Sequence, residues 1–251
     1  MVFGNLSTGY WLGAAAAAGL HWVELGRKTL TGTGDTIDVN GHGWTTPDSS
    51  FINIANNVLN WENGGSMTSK FAHKSITALS DTQWTMRFKI TIDQHASPSG
   101  DAHQLYINLQ ENAVNSEGNS KAVGFGIRKG SGTNGYRLMN QNSTSEVAAG
   151  TMTAFSRTAT TETIYIELAR TTSTNLRGRI YTQSDYSDTP ETINATIAST
   201  LNGLDNIVVS VQQDNGTGGG LNGIIDDLKI WNATNTTTGT PDVNITFSAL
   251  T

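Results

Sequence analysis

The strict alternation of apolar and polar side chains constrains this chain more than any other feature. Every second residue of Trp84–Ile92 is large and apolar, and the residues between are threonine, arginine and lysine. Ile164–Leu168 repeats the pattern, with Tyr165 and Glu167 between the apolar positions. Because successive side chains of a β-strand point to opposite faces, each segment predicts a strand with one face in a core and the other in water.

The same reasoning predicts strands along the chain from Asp35 onward. They are Thr36–Val39, Phe51–Ile54, Val58–Trp61, Ser66–Phe71, Trp84–Ile92, Gln104–Leu109, Val123–Arg128, Tyr136–Met139, Glu162–Arg170, Leu176–Tyr181, Ile207–Gln213, Gly223–Trp231 and Val243–Phe247. Turn sequences rich in glycine and asparagine separate these strands. Within this region, Ala195–Leu201 is a candidate for a helical turn. Short strands joined by such turns predict an all-β antiparallel sandwich or jelly roll over residues 35–251.

Residues 1–34 form a predicted N-terminal arm. Its apolar part, Gly9–Leu25, is interrupted by glycine and by His21 and is too short for a transmembrane helix, so we expect no membrane span. The first basic residue is Arg27, whereas a secretory signal begins with positive charge. We predict that the arm contacts another subunit or another structural protein, although packing against its own domain stays open. The expected contact residues are Tyr10, Trp11, Leu12 and Trp22.

Charge and cysteine content exclude several classes of protein. The chain has 15 lysines and arginines, a net charge of −6 and no cysteine. Nucleic-acid binding needs clustered basic residues, and the closest approach to a cluster is Arg170, Arg177 and Arg179, which we interpret as solvated strand faces. Without cysteine there is neither a disulfide framework nor a thiolate zinc site.

The most informative stretch is Leu221–Asn232, which follows Val208–Gln213 across a glycine-rich connection. Two β-rich runs joined in this way are expected to be neighbouring antiparallel strands. Asp226 and Asp227 lie inside the second run. A carboxylate is costly at a strand centre unless it caps a turn, binds a cation or faces water.

This stretch resembles the closing strand of laminin-G-like and concanavalin A-like jelly rolls, where Gly-x-Ile-Asp-Asp recurs. Gly43–Ile54 and Ser80–Ile90 are similar to the front half of laminin-G-like proteins of marine archaea and their viruses. The resemblance implies a two-sheet jelly roll. It also implies one structural calcium ion, bound by Asp226 with Asp48 or carbonyl oxygens around Gly43. The alternative is that Asp226 only accepts backbone hydrogen bonds, and we expect no other cofactor.

No catalytic constellation stands out in the sequence. Retaining glycoside hydrolases need two close carboxylates, and the related string Glu-x-Asp-x-x-Glu is absent. Glu162 and Glu167 fall on opposite faces of one strand. No Gly-x-Ser-x-Gly elbow occurs. His95 and His103 flank a turn that could form a hairpin with a metal site, or simply an exposed polar loop. We therefore predict that the chain is not an enzyme.

A glycan is the remaining candidate ligand, because aromatic side chains on a sheet can stack on sugars. Trp84 is expected in the core, whereas Tyr165, Tyr181 and Tyr186 are candidates to face outward. We predict a non-enzymatic structural or surface protein of a virion or cell-surface assembly, located outside the cell and displaying a lectin-like domain. The alternatives are a secreted or anchored carbohydrate-binding module and a polysaccharide-active glycoside hydrolase.

Overall fold

The computed structural model of this chain describes residues 43–45, 52–55, 58–62, 70–95, 102–130, 133–214 and 221–245. The described strands are β1 (Ile52–Ala55), β2 (Val58–Glu62), β3 (Lys70–Ser75), β4 (Trp84–His95), β5 (Ala102–Gln110), β6 (Ala122–Gly130), β7 (Thr133–Gln141), β8 (Thr151–Ala154), β9 (Thr163–Thr172), β10 (Asn175–Tyr181), β11 (Glu191–Thr196), β12 (Asn206–Asp214), β13 (Leu221–Asn232) and β14 (Val243–Ile245). Val147–Ala149 is a single 3₁₀ turn.

Two antiparallel sheets form a sandwich. The eight-stranded sheet has the order β1-β2-β13-β4-β9-β10-β11, with β14 also paired to β13, and the six-stranded sheet has the order β3-β12-β5-β6-β7-β8. The predicted all-β sandwich is therefore confirmed. Among the described residues, no helix is long and apolar enough to cross a bilayer.

The core lies between the sheets and is built from the alternating positions. Phe88, Phe125 and Tyr136 pack there with ring centroids 6.1 and 5.7 Å apart, joining β4 to β6 and β7. Trp44, Trp61 and Trp84 are also buried in this core. Since each strand gives alternate side chains to the core, the intervening side chains must lie on the two outer faces of the sandwich.

The expected pairing of Val208–Gln213 with Leu221–Asn232 is wrong. The first segment is β12 of the six-stranded sheet, and the second is β13 of the eight-stranded sheet. The same applies to β4 and β5, which flank the turn between His95 and His103 and lie in different sheets, so they form no hairpin. Alternation shows which side chains face the core, but it does not show from which sheet they approach it.

Two smaller points of the sequence analysis also need correction. Strands β8 and β11 were missed because they are short and mostly polar. Met152 in β8 and Ala195 in β11 have too few apolar neighbours on their strands to show an alternating pattern. The candidate helical turn at Ala195–Leu201 is instead the end of β11 followed by a turn that the backbone N–H of Leu201 closes onto Ala198. Predicted strand Thr36–Val39 and the boundary between residues 34 and 35 lie outside the described residues.

The aspartate pair of β13 sits at a β-bulge. The register with β4 shifts between Asp226 and Lys229, and Asp227 adopts a left-handed conformation with φ of 51°. Aspartate tolerates this conformation better than most residues. The carboxylate of Asp226 accepts a hydrogen bond from the Asp227 backbone N–H at 2.8 Å. The motif therefore has a local structural role, which is to shape the bulge on the outer face.

Glu162 joins the end of β7 to the loop before β9. It accepts hydrogen bonds from the Tyr136 hydroxyl at 2.7 Å and the Thr160 hydroxyl at 3.1 Å, and it pairs with Arg157. Burial raises the pKa of Glu162, but the hydrogen bonds from Arg157, Tyr136 and Thr160 outweigh burial and hold the pKa below its ordinary value of 4.5. The ionised carboxylate therefore stabilises the fold above that value, and the stabilisation is lost as the pH falls through the folded-state pKa.

We expect Glu162→Gln to lower the free energy of unfolding by about 1–2 kcal/mol at neutral pH, because the three donors Tyr136, Thr160 and Arg157 lose a charged acceptor. The difference from the native protein should shrink in acid, where the native carboxylate is itself protonated. Urea denaturation of both proteins at neutral and acidic pH measures this, with the exposed Glu146→Gln as a matched control. A difference that stays constant with pH would contradict the assignment.

Candidate functional site

A cleft of about 240 Å³ opens on the outer face of the six-stranded sheet. Its described lining consists of Gln104, Tyr106, Arg128, Arg137, Ala148, Met152 and Gln212. The strand partners set their positions, because paired residues of an antiparallel ladder point to the same face. A cleft lined by amides, a phenol, two guanidinium groups and a small apolar wall can bind a polar ligand from several directions.

Gly126 lies between Tyr106 and Arg137 in the sheet. Tyr106 pairs with Gly126 on β6, and Gly126 pairs with Arg137 on β7. A β-carbon at Gly126 would lie 3.4 Å from the Tyr106 ring, so the ring rests against this glycine. Since Gly126 has no side chain, the space between Tyr106 and Arg137 stays open above the sheet.

A row of amide groups lies beside the tyrosine. Gln104 pairs with both Gln212 on β12 and Arg128 on β6. The Tyr106 hydroxyl donates a hydrogen bond to Oε1 of Gln104, which fixes both side chains. Gln104 and Gln212 are each only 9% exposed. Such buried amides are costly unless they are hydrogen-bonded, and they orient the cleft for polar recognition.

The two arginines give the cleft its charge. Neither Arg128 nor Arg137 forms an ion pair with any described residue. The Nε atom of Arg128 is buried without a hydrogen-bond partner among the described residues. Burial lowers the pKa of Arg137, and repulsion from Arg128 lowers it further. A bound anion would relieve this repulsion and supply the missing acceptor.

Two loops close one end of the cleft. Residues 111–121 and 142–150, here called the loop pair, are joined by hydrogen bonds from Ala148 N to Ser116 O (2.7 Å) and from Val147 N to Gly118 O (3.0 Å). The backbone N–H of Ser116 also donates to Oγ of Ser210 at 3.1 Å, which fastens the loop pair to the sheet. Beneath it lies a small apolar cluster of Ala122, Met139, Val147 and Met152.

The outer face continues past β12 to the edge strand β3. Phe71 pairs with Ser210 and His73 with Val208, which puts both rings on the face that carries the cleft. The two rings are stacked with centroids 6.0 Å apart. Burial lowers the pKa of His73, so the imidazole is neutral at physiological pH. The face therefore carries aromatic surface beyond the cleft itself.

Of the residues predicted for calcium binding and assembly, the structure describes Asp226 and Gly43. Asp226 lies in the eight-stranded sheet, opposite Lys89 of β4. Gly43 lies two residues before Thr45, which bridges to His73 of β3 in the six-stranded sheet. Among the described residues, no group of three or more acidic or histidine side chains assembles a metal site. Asp48 lies outside the described residues, so the calcium ion stays a prediction. Also outside them are Tyr10, Trp11, Leu12 and Trp22.

Tyr165 and Tyr186 face outward as predicted, whereas Tyr181 pairs with Tyr165 on the same face but is buried, with a relative exposure of 5%. Tyr165 and Tyr186 line a second cavity, on the outer face of the eight-stranded sheet, and Tyr181 packs against Tyr186 with ring centroids 5.1 Å apart. Trp231 borders the same cavity, although its side chain is largely buried. The metal site considered at His95 and His103 concerns side chains outside those described.

The residues of the first cleft were not singled out from the sequence. Their signal is nevertheless present in β5 and β6. The non-core positions of β5 are Gln104, Tyr106, Asn108 and Gln110, which are large, polar and uncharged. The facing positions of β6 are Gly124 and Gly126. Alternate glycines in a strand often mark a close approach of a side chain or ligand, and this pattern could have located the cleft.

Comparisons with known proteins support the fold. No protein-family model matches the sequence, and no curated protein matches it. A lectin from Bauhinia forficata in complex with GalNAc has 11% sequence identity and a TM-score of 0.50, covering 78% of this chain and 96% of that chain. A legume lectin-like domain from Entamoeba histolytica has 10% identity and a TM-score of 0.49, covering 78% and 92%.

Alginate lyase A1-II′ is also similar, with 7% identity and a TM-score of 0.48, covering 73% of this chain and 83% of that chain. At such low identities these similarities concern the fold alone. The predicted two-sheet jelly-roll sandwich is thereby confirmed as a fold. An archaeal or viral origin stays a prediction.

The prediction that the chain is not an enzyme is wrong, because alginate lyases are among the proteins that share its sandwich. The physical reason lies in the chemistry that was considered. Paired carboxylates are required by most glycoside hydrolases, and a serine elbow by one class of serine hydrolases. A lyase breaks a bond by elimination and needs neither, so their absence from the sequence excludes nothing beyond those hydrolases.

Two glycines of β6 give a test of how the face is packed. A β-carbon at Gly124 would lie 2.3 Å from the Ile107 carbonyl oxygen and closer still to the Asn108 side chain, whereas one at Gly126 meets only ordinary contacts. We expect Gly124→Ala to destabilise the fold by about 2–3 kcal/mol through overpacking and Gly126→Ala to change stability by less than about 1 kcal/mol. Thermal or urea unfolding of this matched pair measures both. Equal effects would contradict the described register.

Proposed function

We propose that the cleft on the outer face of the six-stranded sheet binds an acidic polysaccharide. The observation that carries this proposal is the pair of arginines, Arg128 and Arg137, which no described carboxylate neutralises. Guanidinium groups form paired hydrogen bonds with carboxylates and sulfates. The chain as a whole has a net charge of −6, so the positive charge in the cleft is local rather than general.

The other lining groups suit a sugar. The amides of Gln104 and Gln212 and the phenol of Tyr106 offer donors and acceptors for hydroxyl groups, and Ala148 and Met152 provide an apolar wall for the C–H face of a ring. The described lining contains no carboxylate, so nothing in it repels an acidic chain. The proposal keeps the carbohydrate-binding alternative of the sequence and makes its ligand more specific.

A lyase reaction on the same ligand is the second candidate, and the position of Tyr106 next to Arg137 favours it. In a uronic acid chain, a base removes the proton from the carbon next to the carboxylate, and its electron pair forms a C=C double bond to the neighbouring ring carbon. The glycosidic C–O bond of that neighbouring carbon breaks, and the leaving oxygen takes a proton from a general acid. A cation against the carboxylate makes that proton more acidic, and a phenol in reach can carry a proton. Tyr106 is the described group in the cleft that could take this role.

We expect Arg137→Gln and Arg128→Gln each to weaken binding of alginate, a uronic acid polymer, by about 10-fold or more, because each removes a charge-assisted hydrogen bond. Binding should also weaken as salt is added. Isothermal titration calorimetry with alginate oligosaccharides measures the affinity, and dextran serves as the neutral polymer. Lys121→Gln is the matched control, because this lysine pairs with Glu111 at 3.6 Å and is not among the described residues that line the cleft. Unchanged alginate affinity in both arginine variants would sink the proposal.

The lyase candidate has a separate readout. Incubation with alginate should release unsaturated chain ends, seen by their ultraviolet absorbance, and Tyr106→Phe should abolish the release while leaving binding within a few-fold of the native protein. The retained ring keeps the packing against Gly126, so stability serves as the control. Absence of unsaturated ends, or their undiminished release by the variant, would remove the lyase candidate and leave binding alone.

The assembly role and the location outside the cell stay proposals that rest on residues 1–34. Deleting these residues and comparing the oligomeric states of the two proteins by size-exclusion chromatography tests the assembly role. A monomer in both cases would exclude an assembly contact through Tyr10, Trp11, Leu12 and Trp22.

A further inference from the structure

A second cavity, of about 190 Å³, lies on the outer face of the eight-stranded sheet, on the opposite side of the sandwich from the cleft. Its described lining is Arg87, Tyr165, Ser184, Tyr186, Asp227, Lys229 and Trp231. Three aromatic rings, two cations, one carboxylate and one hydroxyl therefore meet in one place. The first cleft does not use any of these residues.

A buried carboxylate organises the floor next to this cavity. The Glu167 side chain is only 4% exposed and accepts hydrogen bonds from Arg87 at 3.0 and 2.7 Å and from Arg177 and Arg179 at 3.1 Å each. One carboxylate cannot neutralise three guanidinium groups, so positive charge remains in excess. The interpretation of Arg170, Arg177 and Arg179 as solvated strand faces is therefore incomplete for Arg177 and Arg179, because both belong to this cluster. It is wrong for Arg170, which is fully buried and donates to the carbonyl oxygens of Leu201 and Ser173.

Tyr186 forms the wall of the cavity and is held firmly. Its backbone is left-handed, with φ of 59°, and its ring lies 4.0 Å from the Arg87 guanidinium carbon. It also meets the Tyr165 ring edge-to-face at 5.9 Å. The loop that carries it is closed by Asp188, whose carboxylate accepts from the Thr182 N–H and hydroxyl at 2.8 Å. A wall fixed in this way is preorganised for a ligand.

The bulge in β13 supplies the remaining polar groups. Lys229 pairs with Arg87, so its side chain projects on the same face, and Asp227 enters the cavity from the bulge itself. An aromatic cage for a quaternary ammonium group would need rings without cations nearby. Here Arg87 already occupies one face of Tyr186 and Lys229 stands beside it, which favours an anionic ligand.

We propose that this cavity is a second binding site for an acidic sugar residue, so that the domain holds a polysaccharide chain on each of its two faces. The rings of Tyr165, Tyr186 and Trp231 give apolar contact to the C–H groups of the sugar, and Lys229 pairs with its acidic group. The carboxylate of Asp227 accepts hydrogen bonds from the sugar hydroxyls, and the Ser184 hydroxyl donates or accepts. That both sites take the same class of polymer rests on the function proposed for the first cleft. With two sites facing apart, one domain cross-links two chains.

The experiment is a calorimetric titration of the full-length protein with short alginate oligosaccharides, which cannot reach both faces. We expect two equivalents to bind the native protein. Lys229→Gln and Tyr186→Ala should each remove one equivalent, or weaken it by about 10-fold or more. Arg137→Gln should remove the other equivalent. Lys121→Gln is again the matched control, and unfolding midpoints check that each variant is folded.

Tryptophan fluorescence gives an independent readout. Trp231 lines the second cavity, and no tryptophan is among the described residues that line the first cleft. Oligosaccharide binding should therefore change the fluorescence of the native protein and of Arg137→Gln, and this change should disappear in Trp231→Phe. A solution of long alginate chains should become turbid when the native protein cross-links them, and it should stay clear with Lys229→Gln.

The outcomes separate the two proposals. One equivalent that Arg137→Gln abolishes and Lys229→Gln leaves intact would overturn the second site alone. One equivalent with the opposite dependence would support the second site and overturn the first. Two equivalents with both dependences support the pair, and the absence of any binding to the native protein overturns both.

Discussion

Each strand of this sandwich packs one of its two faces into the core. This burial forces the side chains between the core positions onto an outer face of the sandwich. Phe88, Phe125 and Tyr136 fill the interior between the sheets, so the side chains between them have only two outer surfaces on which to lie. Polar and charged groups from strands distant in the sequence are thereby gathered on common faces. Tyr106 and Arg137 meet on one face, and Arg87 and Glu167 meet on the other, through strand pairing alone.

The same constraint explains what the sequence could predict. Alternation located most strands within a few residues and put Trp84 in the core and Tyr165 on the surface, because the period of two depends only on local geometry. It could not assign strands to sheets, so β12 and β13 were paired wrongly. Sheet membership is decided by contacts between strands, and a glycine-rich connection fits a hairpin and a crossing between sheets equally well.

The candidate sites were harder to predict than the fold for a related reason. A carboxylate pair or a metal-binding motif can be recognised from its spacing along the sequence. This cleft is instead formed by residues of different strands, such as Gln104, Arg128 and Gln212, and none of them is distinctive in the sequence. Asp226 was predicted to bind calcium, and the role that the structure shows for Asp226 and Asp227 is to shape the β-bulge of β13. Residues that look exceptional in sequence can serve the backbone, and ordinary ones can form the site.

The loop pair over the six-stranded sheet has one more consequence. Its two loops are joined to each other by backbone hydrogen bonds, such as that from Ala148 N to Ser116 O, and these do not depend on side-chain identity. The exposed residues 143–146 are therefore free to vary, whereas Ser116, Ser120 and Val147 are buried and constrained by their neighbours. Insertions or deletions in the loop pair would change how much of the six-stranded sheet it covers without changing the strands beneath it. Sequence differences among relatives of this chain should therefore concentrate in the loop pair and change how many units of a polymer it covers.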